Sequence, residues 1–412
     1  MSIILRMSRA IQYELPNHWL KYDRAGIHEE LLNAKAFILA LQAIPFQRRW
    51  VKSIQEIQLK MEVGGSSKIE GADFAGNELE AAIKAETPEQ LLTRSQKQAS
   101  AAARTYKWIA ELPDDQPITV ELVSQIQKSI VTDCDDDHCE PGVVRHGDDQ
   151  VTFGVPKHRG VRAGEECRTA LERLTTEVQS TFKGHDPLIQ ALALHYHFAA
   201  MHPFTDGNGR TARVLEALAL QRAGLKDSLF IAMSNYYYDE KAAYLASLAA
   251  VRAGEHDLTP FLKFGLKGIS LQTQRLTNLV RNAVSKELFR GLMGDLFSRL
   301  ESTRKRVIVK RQLMVLNRLL DREGAVDFTQ LAEEVTPYYA SRKNAMFAIV
   351  RDVNRLGALG AITVRREDRP EKRTVYWIAA DLNWPSRITD TEFFAALEKL
   401  PRSKTSTFPT PT

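Results

Sequence analysis

The chain is poor in cysteine. Its 412 residues contain three, Cys134, Cys139 and Cys167. An odd, small number argues against a disulfide framework and fits a reducing cytoplasm. Cys134 and Cys139 flank the acidic run Asp135-Asp136-Asp137-His138, but no matching second ligand pair accompanies them, so no metal site is assigned there. Long apolar runs are also missing. The densest, Ala36-Phe37-Ile38-Leu39-Ala40-Leu41, falls far short of the ~20 residues a bilayer span needs. Arg6, Arg9, Glu14 and Pro16 interrupt the N-terminal region, which does not read as a signal peptide. There is no GxxxxGK[ST], which excludes a P-loop, and no internal repeat. Net charge is small, +5, but unevenly spread. Residues 301–380 hold 16 Lys and Arg against 10 Asp and Glu, leaving the rest near neutral. A basic C-terminal module on a neutral body suits an anionic partner, or is simply a solvated face.

The chain is 44% hydrophobic, enough for a real core, and its apolar periodicity is mostly helical. Residues 28–43 carry a helical stripe ended by Pro45, and a second helix is expected over about 47–62. Gly64-Gly65 is expected to break it, leaving residues 66–71 as a short helix of their own. Residues 143–155 read as a β-hairpin, with a polar turn at His146-Gly147-Asp148-Asp149 between short β-prone runs. A lone hairpin in a helical protein suggests a flap over a site. Residues 186–201 are apolar nearly all round, the pattern of a buried central helix.

That helix runs into the loop His202-Pro203-Phe204-Thr205-Asp206-Gly207-Asn208-Gly209-Arg210, and another helix starts at once. No core needs this concentration of polar groups. The glycines allow close backbone approach to a ligand, and the amides and dipole at the new helix's N-terminus favour an anion. Arg210 and Arg213 are three apart on one helix face and can serve one phosphate-bearing ligand. Asp206 offers oxygen to a hard cation such as Mg²⁺. His202 is the side chain here that can act as a base near neutral pH. His195 and His197, two apart on a helix, face different ways and read as buried, hydrogen-bonded residues rather than metal ligands. Together these parts describe phosphoryl or nucleotidyl transfer, without fixing which phosphorus is attacked.

Residues 202–213 match in full the pattern HxFx(D/E)GNGRxxR, and the chain here resembles the Fic family. The resemblance implies a mainly α core with a β-hairpin flap, and AMP transfer from ATP and Mg²⁺ to Ser, Thr or Tyr hydroxyls. It implies His202 as base, Asp206 as the Mg²⁺ ligand, and Asn208 with the loop amides as the α-phosphate cradle. Arg210 and Arg213 would hold the outer phosphates, and Phe204 would anchor the loop. Nucleotide contacts would thus come from Asp206, Gly207, Asn208, Gly209, Arg210, Thr211 and Arg213, with Phe153 and Gly154 on a flap that aligns the target by strand addition. Upstream, Ser66-Ser67-Lys68-Ile69-Glu70-Gly71 is similar to the family's inhibitory pattern (S/T)xxxE(G/N). The resemblance implies that Glu70 pairs with Arg213 and fills the γ-phosphate space, with Ser66 on the same helix face.

The expected organisation is an N-terminal helical region over 1–110, a Fic core over 111–270, a helical connector over 271–304, a winged helix-turn-helix-like domain over 305–380, and a disordered tail over 381–412. In the winged module Arg342, Lys343, Arg351 and Arg355 are the candidates to face phosphates. The leading function is a self-inhibited protein adenylyltransferase with ATP and Mg²⁺. The alternatives are AMP removal, transfer of another nucleotide, and a nucleotide-sensing DNA-binding regulator. The partners considered are a protein with an exposed hydroxyl, the chain itself, a second copy, and DNA at the C-terminal module. No membrane is among them.

Overall fold

The computed structural model describes residues 11–44, 48–134, 139–146, 151–154, 157–162, 164–225, 231–299, 303–339, 344–369, 374–400 and 408–412. The acidic run 135–138, Pro156, Arg342 and Lys343 lie outside these residues, as do 401–407 of the tail. The chain divides into two compact units, 1–279 and 280–412.

The first unit is built mainly from helices. They are α1 (His28–Gln42), α2 (Arg48–Ile69), α3 (Glu78–Lys84), α4 (Arg94–Glu111), α5 (Val120–Val131), α6 (Glu165–Gln179), α7 (Pro187–Met201), α8 (Asn208–Leu220), α9 (Met233–Asp239), α10 (Lys241–Ala253) and α11 (Thr259–Ser298). The unit boundary falls within α11. At its centre is α7, packed against α6, α8 and α10. Its start is set by Pro187 in the first turn and by Asp186, whose side chain accepts from the Leu188 amide. Twelve of its fifteen residues are buried, as an all-round apolar sequence requires.

Two expectations change here. First, Gly64 and Gly65 do not end a helix, because α2 runs through them to Ile69. The reason is packing. A Cβ on Gly65 would lie 2.4 Å from the Ser234 carbonyl oxygen, so glycine is what lets α2 press against the start of α9. Burial of that contact outweighs the helix cost of glycine, roughly 1 kcal/mol relative to Ala. Second, the flap is displaced along the chain. Strand β1 (Ile11–Gln12) pairs in parallel with β3 (His158–Arg159), which pairs antiparallel with β2 (Thr152–Phe153). The chain leaves β2 through Gly154, at φ 74°, and residues 147–149 of the expected turn lie outside the described residues. Val143 and Val144 belong to no strand, and the Arg145 amide instead bonds to Pro203 O.

The second unit contains α12 (Thr303–Leu320), β4 (Val326–Asp327), α13 (Phe328–Val335), α14 (Ala345–Ala358), β5 (Ile362–Asp368), β6 (Thr374–Ala380) and α15 (Asp390–Lys399). Its sheet order is β4-β6-β5, all antiparallel. Alternation along β5 buries Ile362 and Val364 and exposes Thr363 and Arg365. The expectation of a disordered tail from 381 is overturned over the described part. Trp384 and Phe393 are buried in this unit's core, and Thr389 closes a capping box with Glu392 at the start of α15.

Candidate active site

His202 ends α7 in the left-handed region, at φ 54°. Few non-glycine residues adopt that conformation, which costs on the order of 1–3 kcal/mol and persists where the surroundings enforce it. Here the enforcement is visible. The His202 carbonyl accepts from buried Arg145 Nε at 2.9 Å, and the Val161 amide bonds to Met201 O at 2.9 Å. Arg145 also donates to Val161 O at 2.8 Å. A Cβ on Gly160 would lie 2.5 Å from Met201 O and 2.8 Å from His202 Cβ. Phe153 of the flap stacks on the imidazole, with centroids 4.1 Å apart and planes 11° from parallel.

The tautomer follows from one contact. His202 Nδ1 lies 3.0 Å from the Ala199 carbonyl oxygen, which can only accept, so Nδ1 carries the proton and Nε2 keeps its lone pair. Burial, followed by the nearby Arg145 charge, pushes the imidazole down to about 4, so it is neutral at pH 7. The two other helix histidines do point apart. His195 bonds to Glu216 and Tyr244, whereas His197 bonds to Tyr13 and Trp19 O.

The loop after His202 is held by its own side chains. Phe204 is fully buried. Asn208 accepts from the Phe204 amide at 2.9 Å and donates to the Phe204 carbonyl at 2.7 Å. Its side chain thus shapes the loop. Gly207 sits at φ 78°, where a Cβ would also strike Val131 at 2.7 Å. Asp206 accepts from the Gly207 amide at 2.6 Å and from Arg210 at 3.0 Å, and Gln127 donates to its carbonyl at 3.0 Å. The first amides of α8, like those of any helix, have no partner within the helix. They, with Arg210 and Arg213, form a positively polarised floor close to His202. Asp206 fits a Mg²⁺ ion in kind, since one carboxylate with substrate phosphates is that ion's usual protein environment.

Glu70, 143 positions from Arg213 in sequence, meets it at 2.6 Å. Arg213 also donates from Nε to Ser66 Oγ at 3.0 Å. The Glu70 carboxylate lies over the start of α8, because a Cβ on Gly209 would be 2.6 Å from its Oε1. Burial raises the Glu70 carboxyl, but Arg213 and then Arg210 outweigh it and hold it below the usual range. Arg213 is only 2% exposed and Glu70 37%, so the anion stands at the mouth of the site and the cation at its floor.

Several contributors were not legible in the sequence. Arg145, Gly160 and Gln127 belong to this group. So does Glu62, eight residues before Glu70 on α2, which accepts from Tyr106 and from the Ser234 amide and hydroxyl. Burial pushes the Glu62 carboxyl up to about 7 despite those bonds. Its spacing of four from Ser66 was the available signal, hidden by the assumed break at Gly64-Gly65. Lys241 donates to Ile69 O at 2.8 Å and so caps the end of α2.

The Fic/DOC family model matches residues 117–220, which contain His202 and the whole loop. The chain carries a Fic domain. Protein adenylyltransferase fic-1 of Caenorhabditis elegans is 34% identical over 127 residues, covering 31% of this chain and 23% of that protein. Protein adenylyltransferase Fic of Nematostella vectensis is 38% identical over 78 residues, covering 19% and 16%. The chain thus spans about a quarter or less of the length of these curated relatives. Among solved structures, a Fic family protein from Desulfovibrio desulfuricans G20 superposes with TM-score 0.54 at 18% identity, covering 90% of this chain and 99% of that one. Fic-1 residues 134–508 from C. elegans superpose with TM-score 0.52 at 21% identity, covering 63% and 74%. The mainly α fold of the Fic domain is shared with both.

Proposed function

We propose that this chain is a self-inhibited protein adenylyltransferase, moving AMP from ATP to a Ser, Thr or Tyr hydroxyl of a protein, itself included. The observation that carries this reading is a neutral His202 with a free Nε2 beside the anion-binding start of α8. His202 Nε2 takes the proton of the incoming hydroxyl. The hydroxyl oxygen forms a bond to the α-phosphorus, and the bond from that phosphorus to the bridging oxygen breaks, releasing pyrophosphate. The α8 amides, Arg210 and Arg213 hold the phosphates in place. When bound, Mg²⁺ would be held by Asp206 together with the phosphates and would neutralise part of their charge. A target strand would add at the free edge of β2, next to Phe153, because β1 takes the other edge of β3.

The test is incubation of the full chain with α-labelled and γ-labelled ATP, and with the other α-labelled nucleotides. Protein-bound label from α-labelled ATP alone supports AMP transfer. Label from the γ position, or from none, overturns it.

Self-inhibition rests on Glu70, whose carboxylate occupies the neighbourhood an outer phosphate would need and already pairs with Arg213. A pH consequence follows from His202. The base must be neutral, and a pKa lowered to about 4 keeps it neutral through the weakly acidic range. The acid limb of kcat/KM for ATP, which reports the free enzyme, should therefore fall near pH 4. An acid limb near 6.5 would contradict the burial described here.

For the C-terminal unit we propose protein docking by a winged helix rather than DNA reading. Arg351 is engaged with buried Asp352, which also takes Arg311 and Tyr339. Around the start of α14 the exposed side chains include apolar ones, Tyr338, Met346 and Phe347. On β5 and just after it, Arg366 pairs with Asp368 and Arg369 with Glu367. The full chain should give no duplex mobility shift at 50 mM salt. A shift that weakens steeply by 200 mM, as phosphate contacts require, would reverse this reading.

A further inference from the structure

The segment just before α1 has no part in the chemistry above, yet it reaches the base. Strand β1 joins the flap through two backbone bonds, Ile11 N to Lys157 O at 3.1 Å and Tyr13 N to Arg159 O at 2.9 Å. Beyond it the segment is fixed to α7. Tyr13 and Trp19 are buried, and the Tyr13 hydroxyl meets His197 Nδ1 at 3.3 Å. The other His197 nitrogen meets the Trp19 carbonyl at 2.6 Å, and the Trp19 ring stands edge-on to the imidazole with centroids 4.9 Å apart. His197 lies five residues before His202 on the same helix. An anchor this deep is a fixed wall, not a plug that a target displaces.

Between these attachments, the Gln12 side-chain amide donates to the Gly160 carbonyl. Gly160 is the residue that presses on His202, with no room for a methyl group between them. Its neighbour Val161 bonds on to Met201 O and accepts from Arg145, the residue that holds the His202 carbonyl. The bond from Gln12 is thus the link by which the N-terminal segment fixes the position of the backbone behind the imidazole.

We propose that Gln12 is a positioning residue for His202, acting through Gly160, and that residues 11–19 are a strap that seats the flap and the base together. This rests on the reading of His202 as the base. Without the Gln12 donor, the Gly160 backbone is free to shift away from the imidazole. The ring then samples poses in which Nε2 misses the incoming hydroxyl, and water reaches it. Nucleotide binding should be untouched, because the α8 amides, Arg210 and Arg213 take no part in the Gln12–Gly160–His202 contacts.

The test uses the full chain, both wild type and Glu70→Gly, with α-labelled ATP and Mg²⁺. Gln12→Ala and the near-isosteric Gln12→Glu, which cannot donate, should each lower the saturating self-labelling rate about tenfold. An ångström of misplacement can cost on the order of 10²-fold, so a smaller shift costs less. The KM for ATP and the thermal midpoint should not change. Gln12→Lys, which restores a donor of similar reach, should recover most of the rate. In parallel, an NMR titration of the His202 ring, assigned with His202→Ala, should show its midpoint rising from the buried value toward 6.5 in Gln12→Ala. Parent rate and parent titration in Gln12→Ala would overturn the inference. So would a rate that falls together with the thermal midpoint and is not recovered by Gln12→Lys. If no parent labels at all but the His202 titration still moves, the transfer reading fails and the positioning role stands.

Discussion

His202→Ala should abolish AMP labelling of the chain and of any target while ATP still binds. A positioned general base contributes roughly 10²–10⁴-fold, and the two other α7 imidazoles are engaged elsewhere. His195 is committed to Glu216 and Tyr244, and His197 to Tyr13 and Trp19. Binding should persist because the groups that would hold the phosphates belong to α8, and the loop shape depends on Phe204 and Asn208 rather than on the imidazole. The left-handed backbone at 202 is a complication for alanine. His202→Asn is the matched control, since asparagine tolerates that conformation better. It should be equally inactive with a thermal midpoint nearer wild type. Nucleotide affinity from calorimetry and labelling from α-labelled ATP measure the two halves separately. Either variant labelling at the wild-type rate would remove His202 from the role of base.

Glu70→Gly should move the same assay the other way, well above wild type. With Glu70 in place, the carboxylate satisfies Arg213 and, on the proposed reading, would repel an outer phosphate, so that ATP would bind with its α-phosphate misaligned. Misplacement by about an ångström can cost on the order of 10²-fold in rate, which sets the size of the expected gain. Glycine removes both charge and bulk, whereas Glu70→Gln removes the charge alone and should give an intermediate rise. Ser66→Ala should raise labelling less than Glu70→Gly. Its hydroxyl accepts from Arg213 Nε, so the substitution frees one donor of the guanidinium without clearing the phosphate space. Removing Glu70 strips a partner from a guanidinium that is 2% exposed, which should lower the thermal midpoint without nucleotide. Because Glu70 itself is 37% exposed, solvent softens that loss. ATP should restore the midpoint more in Glu70→Gly than in wild type, because a phosphate then takes the carboxylate's place. The double variant Glu70→Gly with His202→Ala should be inactive, since clearing the site supplies no base. Equal or lower labelling in Glu70→Gly, with ATP affinity unchanged, would refute the inhibitory assignment.

How much of this was legible in the sequence depends on the range of the interactions involved. Part of the loop that follows His202 is shaped by contacts within it or close to it in sequence. Pro187 and Asp186 start α7, Asn208 closes the loop four residues from Phe204, Gly207 permits the turn, and Arg210 reaches Asp206 within one helical turn. Contacts three or four residues apart are written in local spacing, so a pattern of residue types is enough to read them. Glu70 was readable as a candidate through the resemblance of residues 66–71 to an inhibitory pattern, with its spacing from Ser66 placing both on one helix face. Its partner was named only because of a family resemblance, since nothing in a chain's spacing points across 143 positions.

The contacts that the tertiary structure alone decided are those made between segments distant in sequence. Gly64-Gly65 reads as a helix break by propensity, but α2 continues because Gly65 fits against Ser234 O with no space for a side chain, and burial outweighs propensity there. The flap's strands are two residues long, too short for a period-2 pattern, so their true pairing with β3, and the arrival of Ile11 and Gln12 as a third strand, could not be read locally. Arg145 looks like any surface arginine until folding buries it against the His202 carbonyl. The local code thus marked the residues proposed to do the chemistry. Folding determined their protonation state and their restraint, because burial, a carbonyl from the preceding helical turn and a backbone wall from another segment exist only once the chain has packed.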